Sequence, residues 1–480
     1  MLSIIRNPQI KYPDGADYFS PDTHYPEYAL GHLSSRPNPV YDAVRRIFAQ
    51  SGLDRANYGA SSWNPLAEFI KPGQQVFVLC NFVYHRRAVE SLADFWAKCT
   101  HASILRAVAD YILLAAGPEG RILFGNAPVQ SCRWTSVLSD TGADRVAEFY
   151  SRRELPVKAR DLRMHIAEHD RFARTSRIER GNERNAILVD MGTESLLSEL
   201  DHPKAKFRVT DYDPRRIESF HRNNQHVYSL NRIVLDSDII FSIPKLKTHE
   251  KVGITCAVKG CVGSVAHKDC LAHHRFGPPN RGGDEYPSDS FGMKRGMSHL
   301  HDLIQRVPLD RRLGRMLRYS ERLMRWVVRQ TASPVAGSWS GNDTCWRMAV
   351  DLARILAYAD REGVLSRDPQ RKHLALVDGI VGGEGQGPLN PDPIASGTLV
   401  FGDDIVSVDH AAAILMGFDP EALPIVWRSA GGKGKCLLPS SARRDEPVIL
   451  NGESIDSDTL KGTVTRSYRP PRGWEGVMRV

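Results

Sequence analysis

No stretch of the 480-residue chain approaches the roughly eighteen consecutive apolar residues that a membrane-spanning helix needs, so none is expected. The opening, MLSIIRNPQIKYPDG, lacks a charged segment followed by a long apolar one. That argues against a cleaved secretory leader and makes the cytoplasm the default location. Cysteine is sparse: eight residues, Cys80, Cys99, Cys132, Cys256, Cys261, Cys270, Cys345 and Cys436, are scattered along the chain, so no disulfide framework is implied. There is no C-x2-C-x2-C run, hence no iron–sulfur module of ferredoxin type, and no standard zinc spacing. Neither the Walker order with its Lys-Ser/Thr ending nor the Rossmann glycine order is present. No zinc-finger or recognition-helix signature accompanies the net charge of +8, so anionic partners are favoured but no specific nucleic acid is expected.

What is present is ordinary in bulk and uneven in detail. A hydrophobic content of 41% with 25% charged residues fits a globular protein with one large core or two to three smaller ones. The chain is organised around Ile239–Cys270, IIFSIPKLKTHEKVGITCAVKGCVGSVAHKDC. The β-branched run Ile239–Ile243 reads as a buried strand stopped at Pro244, which cannot donate a ladder hydrogen bond. Lys245, Lys247, Thr248 and His249 follow at once, then Lys259 among Gly253, Gly260 and Gly263. Cations, a hydroxyl, an imidazole and exposed amides at one strand end form the makings of an anion receptor; a solvated lysine-rich turn is the plainer alternative.

Earlier in the chain, Pro39–Gln50 carries a helical apolar pattern, and Thr100–Ala116 is an amphipathic helix. Val76–Val83 and Arg121–Pro128 each contain a strand. Further strands at Ala186–Met191 and Asp238–Ile243 alternate with helices. This order predicts an α/β fold: a mostly parallel sheet with helices on both faces, plus an inserted helical segment. Asn81, Asn126, Asp190 and Lys245 are expected near its carboxyl edge, where open α/β sheets bind ligands.

Two later stretches add carboxylates. LALVDGIVGGEGQGPLNPDP reads as a strand, Leu374–Val377, running into Asp378 and a glycine-dense loop that holds Glu384. In TLVFGDDIVSVDHAAAILMGFDP, Asp404 is placed to cap a helix, and Asp409 lies within an apolar helix turn, where a buried carboxylate needs a lysine or a metal as partner. SWSGNDTCWRMAVDLARILAYAD opens a long helix capped by Asp343 or Thr344. Around GPPNRGG, His273, His274, Asp284 and Glu285 have the chemistry of divalent-metal ligands, with a plain charged loop as the alternative. Between Arg311 and Arg329, six arginines at spacings of three and four form a basic stripe on a helix. It suits peripheral contact with an anionic membrane surface, or simply a solvated helix face.

SIPKLKTHEKVGITCAVKGCVG resembles the proteins grouped as domain of unknown function 362, whose signature is close to S-[VI]-P-K-L-K-T-H…G-[VI]-T…K…G. The resemblance continues in AHHRFGPPNRGGDEYP, GNDTCWRMAVDLARIL, VDGIVGGEGQGP and DIVSVDHAAAILMGFDP, and spans about Gln75 to Pro424. The paired histidines and the Gly-Gly-Asp-Glu run belong to it. Asp404 and Asp409 match the family's Asp-Pro-Val-Ala-Val-Asp, with Ile405 in place of the proline. The family's Lys-Pro-Asn strand ending survives here only as Asn81, after Leu79 and Cys80. The iron–sulfur segment appended to some members is absent.

These readings divide the chain into an irregular arm and first helix (1–70), an α/β core (71–294 and 335–425), an inserted basic helical segment (295–334) and a C-terminal tail (426–480). The expected function is that of an enzyme on a phosphorylated or carboxylated small molecule. Asn81, Lys245, Lys247, Thr248 and Lys259 would bind it; His249, Asp378, Glu384 and Asp409 would do acid–base work, with a divalent metal as a candidate cofactor. The alternatives are a metal or redox protein using Cys256, Cys261, Cys270 and the histidine pair, and a non-catalytic protein docking on anions or membrane surfaces.

Overall fold

The computed structural model describes the chain except residues 16, 170–173, 180–184, 203–204, 210–211, 289–291, 307–311, 314–315, 318, 321–322, 324–333, 430–437, 439–446 and 478–480. The arginines of the expected stripe, Cys436 and the Gly431–Lys435 run lie outside the described residues.

One large sheet of eleven strands organises the molecule, and its strands are labelled here in chain order. They are β1 (Leu2–Arg6), β2 (Gln75–Cys80), β3 (Arg121–Asn126), β4 (Val157–Asp161), β5 (Ile239–Ile243), β6 (Lys245–His249), β7 (Gly253–Ile254), β8 (Lys372–Gln386), β9 (Asn390–Gly402), β10 (Val448–Leu450) and β11 (Glu453–Ile455). The spatial order is β11-β10-β1-β9-β8-β5-β2-β3-β4, with β6 continuing along β8 and β7 paired to β6. From β8 through β5, β2 and β3 to β4 every neighbour is parallel, while β8–β9, β9–β1 and β10–β11 are antiparallel. The fold is α/β, with a mostly parallel sheet.

Alternation along the strands explains the two-sided covering. Phe77, Leu79 and Ile240 enter one core beside helices Cys345–Tyr358 and Ile405–Leu415. Val76, Val78, Ile239, Phe241 and Ile243 enter the other, beside helices Pro39–Gln50 and Ala102–Ala116. Those helices begin and end close to where their patterns predict. Pro39–Gln50 is capped by Asn38, whose side chain accepts from Tyr41 N. For Cys345–Tyr358 the capping oxygen is Asn342 Oδ1, which accepts from the amides of Thr344 and Cys345; Asp343 pairs with Arg347 instead.

The structure differs from the sequence reading in three places. Ala186–Asp190 belongs to a separate three-stranded sheet with Gln225–Asn231 and His221–Arg222, so Asp190 is not on the main sheet's edge. The glycine-dense stretch after Asp378 is not a loop: β8 runs on to Gln386 and pairs with β9. Glycine is required there by close approach, since a Cβ on Gly383 would lie 2.8 Å from Ala97 O and 2.9 Å from Lys247 Cβ. Finally, both ends of the chain add to the main sheet, because Leu2–Arg6 and Val448–Leu450 are short apolar segments that pair with each other, Leu2–Arg6 pairing on its other side with β9. No helix among the described residues is long and apolar enough to cross a membrane.

Candidate functional site

β5 is buried along its whole length and stops at Pro244, whose carbonyl accepts from Asp378 N at 2.8 Å. The chain then runs on as β6 against the distal half of β8, pairing Lys245 with Asp378 and Lys247 with Gly383 across a register shift. This continuation carries the lysines past the end of the central strand and into the protein rather than into solvent.

Lys245 and Asp378 are fully buried and lie 3.0 Å apart, Nζ to Oδ2. Tyr12, from the N-terminal arm, joins them. Lys245 Nζ donates to the phenol oxygen at 2.6 Å, and the phenol donates to Asp378 Oδ1 at 2.6 Å. Asp378 also accepts from His101 N at 2.9 Å and Ile380 N at 3.3 Å. The Tyr12 ring stacks on the His101 imidazole, with centroids 4.0 Å apart. Burial, with Asp378 beside it, pushes the phenol well above its ordinary pKa, so it stays protonated and donates. Burial pulls Lys245 down and Asp378 opposes that shift.

Lys247 differs. It too is fully buried, but among the described residues its ammonium meets only neutral oxygens: Lys98 O at 2.5 Å, Asn81 Oδ1 at 2.9 Å and Pro388 O at 3.5 Å. Burial, reinforced by Lys245, Lys98 and Lys259, pushes its pKa down to about 7. Lys98 itself is salt-bridged to Glu90 at 2.8 Å.

Lys259 lies on the short helix Cys256–Gly260 and is 6% exposed. Among the described residues it has no hydrogen bond and no ion pair. Its helix is held by Asp409, which accepts from Ala257 N at 2.6 Å and Val258 N at 3.0 Å. The partners of this buried carboxylate among the described residues are thus two backbone amides and the Cys256 thiol. Burial lifts Asp409 to about 7, against those bonds. Lys268, 9% exposed, is a second buried ammonium with no bond or ion pair among the described residues. Burial, then Arg163 and Lys259, push it down to about 7. Lys251 donates to Ala336 O. His249 and His273 sit within electrostatic range of Lys259 and Lys251, and burial plus those cations hold both imidazoles neutral.

The remaining expected residues are placed as follows. Thr248 is committed to backbone, donating to Gly385 O at 2.9 Å. Glu384 is one residue along β8 from Gly383, and therefore on the other face from Lys247; it accepts from Arg466 at 3.0 Å and from Arg469 N at 2.8 Å. The four expected metal ligands do not form a ligand set. Asp284 accepts from Arg275 N, Thr344 Oγ1 and Asp343 N, Glu285 accepts from Gly277 N and Ser298, and His274 Nε2 stands 4.0 Å from Glu285. No group of three or more His, Cys, Asp or Glu side chains able to hold a metal ion occurs among the described residues. Cys256, Cys261 and Cys270 are buried thiols whose pKa burial raises, as in a hydrophobic core.

Sequence reasoning missed Tyr12, His101, Lys98, Lys251 and Lys268. Lys251 and Lys268 were visible inside the organising stretch as two more lysines. The other three come from distant segments and carry no local signal.

The chain matches no curated protein and no solved structure. A family model described as Domain of unknown function (DUF362) matches residues 157–414, more than half of the chain and inclusive of Lys245, Lys247, Lys251, Lys259, Lys268, Asp378 and Asp409. The chain belongs to the DUF362 family.

Proposed function

We propose that the protein is an enzyme that binds a small molecule carrying a phosphate or carboxylate group beside Lys247, Lys251, Lys259 and Lys268. One observation carries this reading: four buried lysines have no carboxylate in ion-pair contact among the described residues, and two of them have no hydrogen-bond partner there. Buried charges in proteins are ordinarily paired. An anionic ligand supplies the missing counter-charge. The adjacent Lys245–Tyr12–Asp378 chain runs from ammonium through phenol to carboxylate, an arrangement able to pass a proton along hydrogen bonds already in place.

Native mass spectrometry of gently purified protein tests the reading. A small anion retained by the wild type and lost from Lys259→Met is expected. Equal retention by the variant would move the site elsewhere. For the enzymatic part, Tyr12→Phe is expected to bind the same anion while losing turnover of it, since only the hydroxyl of the relay is removed.

A further inference from the structure

We infer that the protein has a second ligand site, separate from the lysines: a cavity of about 710 Å³ where the two chain ends meet, which takes a phosphate monoester with a hydroxylated body. Its walls come from β1, the end of helix Pro39–Gln50, the turn that follows it and Asn451 after β10. All of these lie outside the family match, and β9 and β8 stand between β1 and Lys247 on β6.

The wall is one-sided in charge. Arg6, Arg46 and Arg55 line the cavity and no carboxylate does. Arg46 is paired with Asp42 at 2.7 Å, while Arg6 and Arg55 have no carboxylate in ion-pair contact among the described residues. The acids close by in the chain are engaged or turned away. Asp54 accepts from Asn57 Nδ2 at 2.6 Å and from Asn64 N at 2.8 Å. Glu27 pairs with Arg45 at 2.6 Å, and Asp403 holds the N-terminal amine at 3.0 Å. Glu453 is exposed on β11, outside the lining.

Several of these groups are held in place without a ligand. The Arg6 amide donates to Asn451 Oδ1 at 3.0 Å, and its carbonyl accepts from Asn451 Nδ2 at 3.2 Å. Its guanidinium donates to Thr463 O at 3.0 Å through Nη1. That leaves the edge formed by Nε and Nη2 without a bond among the described residues, and this edge is the fork that grips two oxygens of one oxyanion. The Tyr58 hydroxyl accepts from Arg45 Nη1 at 3.0 Å, so its own O–H is left to donate. Gln50 spends Nε2 on Ile4 O at 3.0 Å and keeps Oε1 as an acceptor. A donor and an acceptor beside two guanidinium groups suit a sugar-like body that carries an anion. One carboxylate answers one guanidinium; a phosphate monoester brings up to two charges and three terminal oxygens, enough for Arg6 and Arg55 together. The volume lies within the roughly 300–1,000 Å³ of small-molecule sites, whereas an inorganic ion would fill only a small part of it.

NMR of the arginine Nε–Hε groups in the full chain, with Arg6 and Arg55 assigned by substitution to glutamine, reads the site itself, so binding at the lysines does not enter. Ribose 5-phosphate is expected to shift both signals and ribose to leave them unmoved. Gluconate and inorganic phosphate are each expected to bind there at least tenfold more weakly. Arg55→Gln, at an exposed position whose side chain has no hydrogen bond or ion pair among the described residues, is expected to weaken the Arg6 response to ribose 5-phosphate at least tenfold. Arg121→Gln, exposed on β3, is expected to leave that response unchanged. Neither signal moving with ribose 5-phosphate, or a full Arg6 response in Arg55→Gln, overturns the site. Gluconate binding as tightly as ribose 5-phosphate overturns the assignment of a phosphate. Inorganic phosphate binding as tightly means an adventitious ion only, and overturns the organic ligand.

Discussion

At the scale of the residue, the two lysines of the Pro-Lys-Leu-Lys run do different work although they lie two positions apart. Lys245 has its carboxylate; Lys247 does not. Removing Lys245 leaves Asp378 buried and reliant on Tyr12 and two amides. Lys245→Met is therefore expected to cost roughly 3–5 kcal/mol, the range for breaking a buried pair. Adding Asp378→Asn to it is expected to recover part of that loss in urea unfolding. If the single and double variants were equally unstable, the pair would not be the source of the cost. The sequence made both lysines conspicuous because they follow a buried strand at once. It could not distinguish them, because the residues that decide, Tyr12 and Asn81, arrive from elsewhere: Tyr12 lies 233 positions from Lys245 and Asn81 166 from Lys247. A tyrosine in an aperiodic arm carries no mark of such a role.

At the scale of the element, the short helix Cys256–Gly260 matters more than its length suggests. Five residues cannot hold a helix by their own hydrogen bonds. Asp409, on the helix Ile405–Leu415, ties down its first amides and so fixes Lys259. Asp409→Ala would orphan two buried donors, at roughly 1–3 kcal/mol each. It is expected to lower both stability and anion affinity, whereas Asp404→Ala, at the N-cap of the same helix, is expected to lower stability only, by about 1 kcal/mol. Equal anion affinity in wild type and Asp409→Ala would show that the helix is positioned by packing alone. The sequence showed that Asp409 would need a partner if buried, from the apolar residues around it, but not that the partner would be backbone. The glycine-dense stretch after Asp378 misled for a related reason. Glycine there serves close packing inside a long hairpin, a use that local sequence cannot separate from a loop.

At the scale of the whole molecule, the α/β layout was legible because the alternation of apolar runs with amphipathic helices is strong from Pro39 to Ala116 and again from Cys345 to Leu415. Less legible were the chain ends, which complete the sheet through contacts between residues hundreds of positions apart. Buried groups with displaced titration also shape the stability of the whole. Lys247 and Lys268, depressed to about 7, bind fewer protons folded than unfolded between pH 7 and their ordinary value near 10.5. Over that window they make the ligand-free protein more stable as pH rises. Asp409, raised to about 7, acts in the opposite sense between its ordinary 3.8 and pH 7. The contribution of these three groups is thus least favourable near neutrality. Thermal unfolding is expected to show Tm rising from pH 7 to 9, and saturating sulfate to flatten that rise by supplying the counter-charge. An unchanged slope with sulfate would separate the titrating lysines from the ligand.

The most direct measurement is NMR titration of lysines labelled with carbon-13 at the ε position, with Lys247, Lys259 and Lys268 assigned by substitution to methionine. Without ligand, Lys247 and Lys268 are predicted to titrate near pH 7 and Lys259 below the range of the surface lysines, and all three to move up when sulfate is added. Three ordinary lysine titrations near 10.5, unmoved by sulfate, would contradict the claim that these ammonium groups lie buried awaiting an anion.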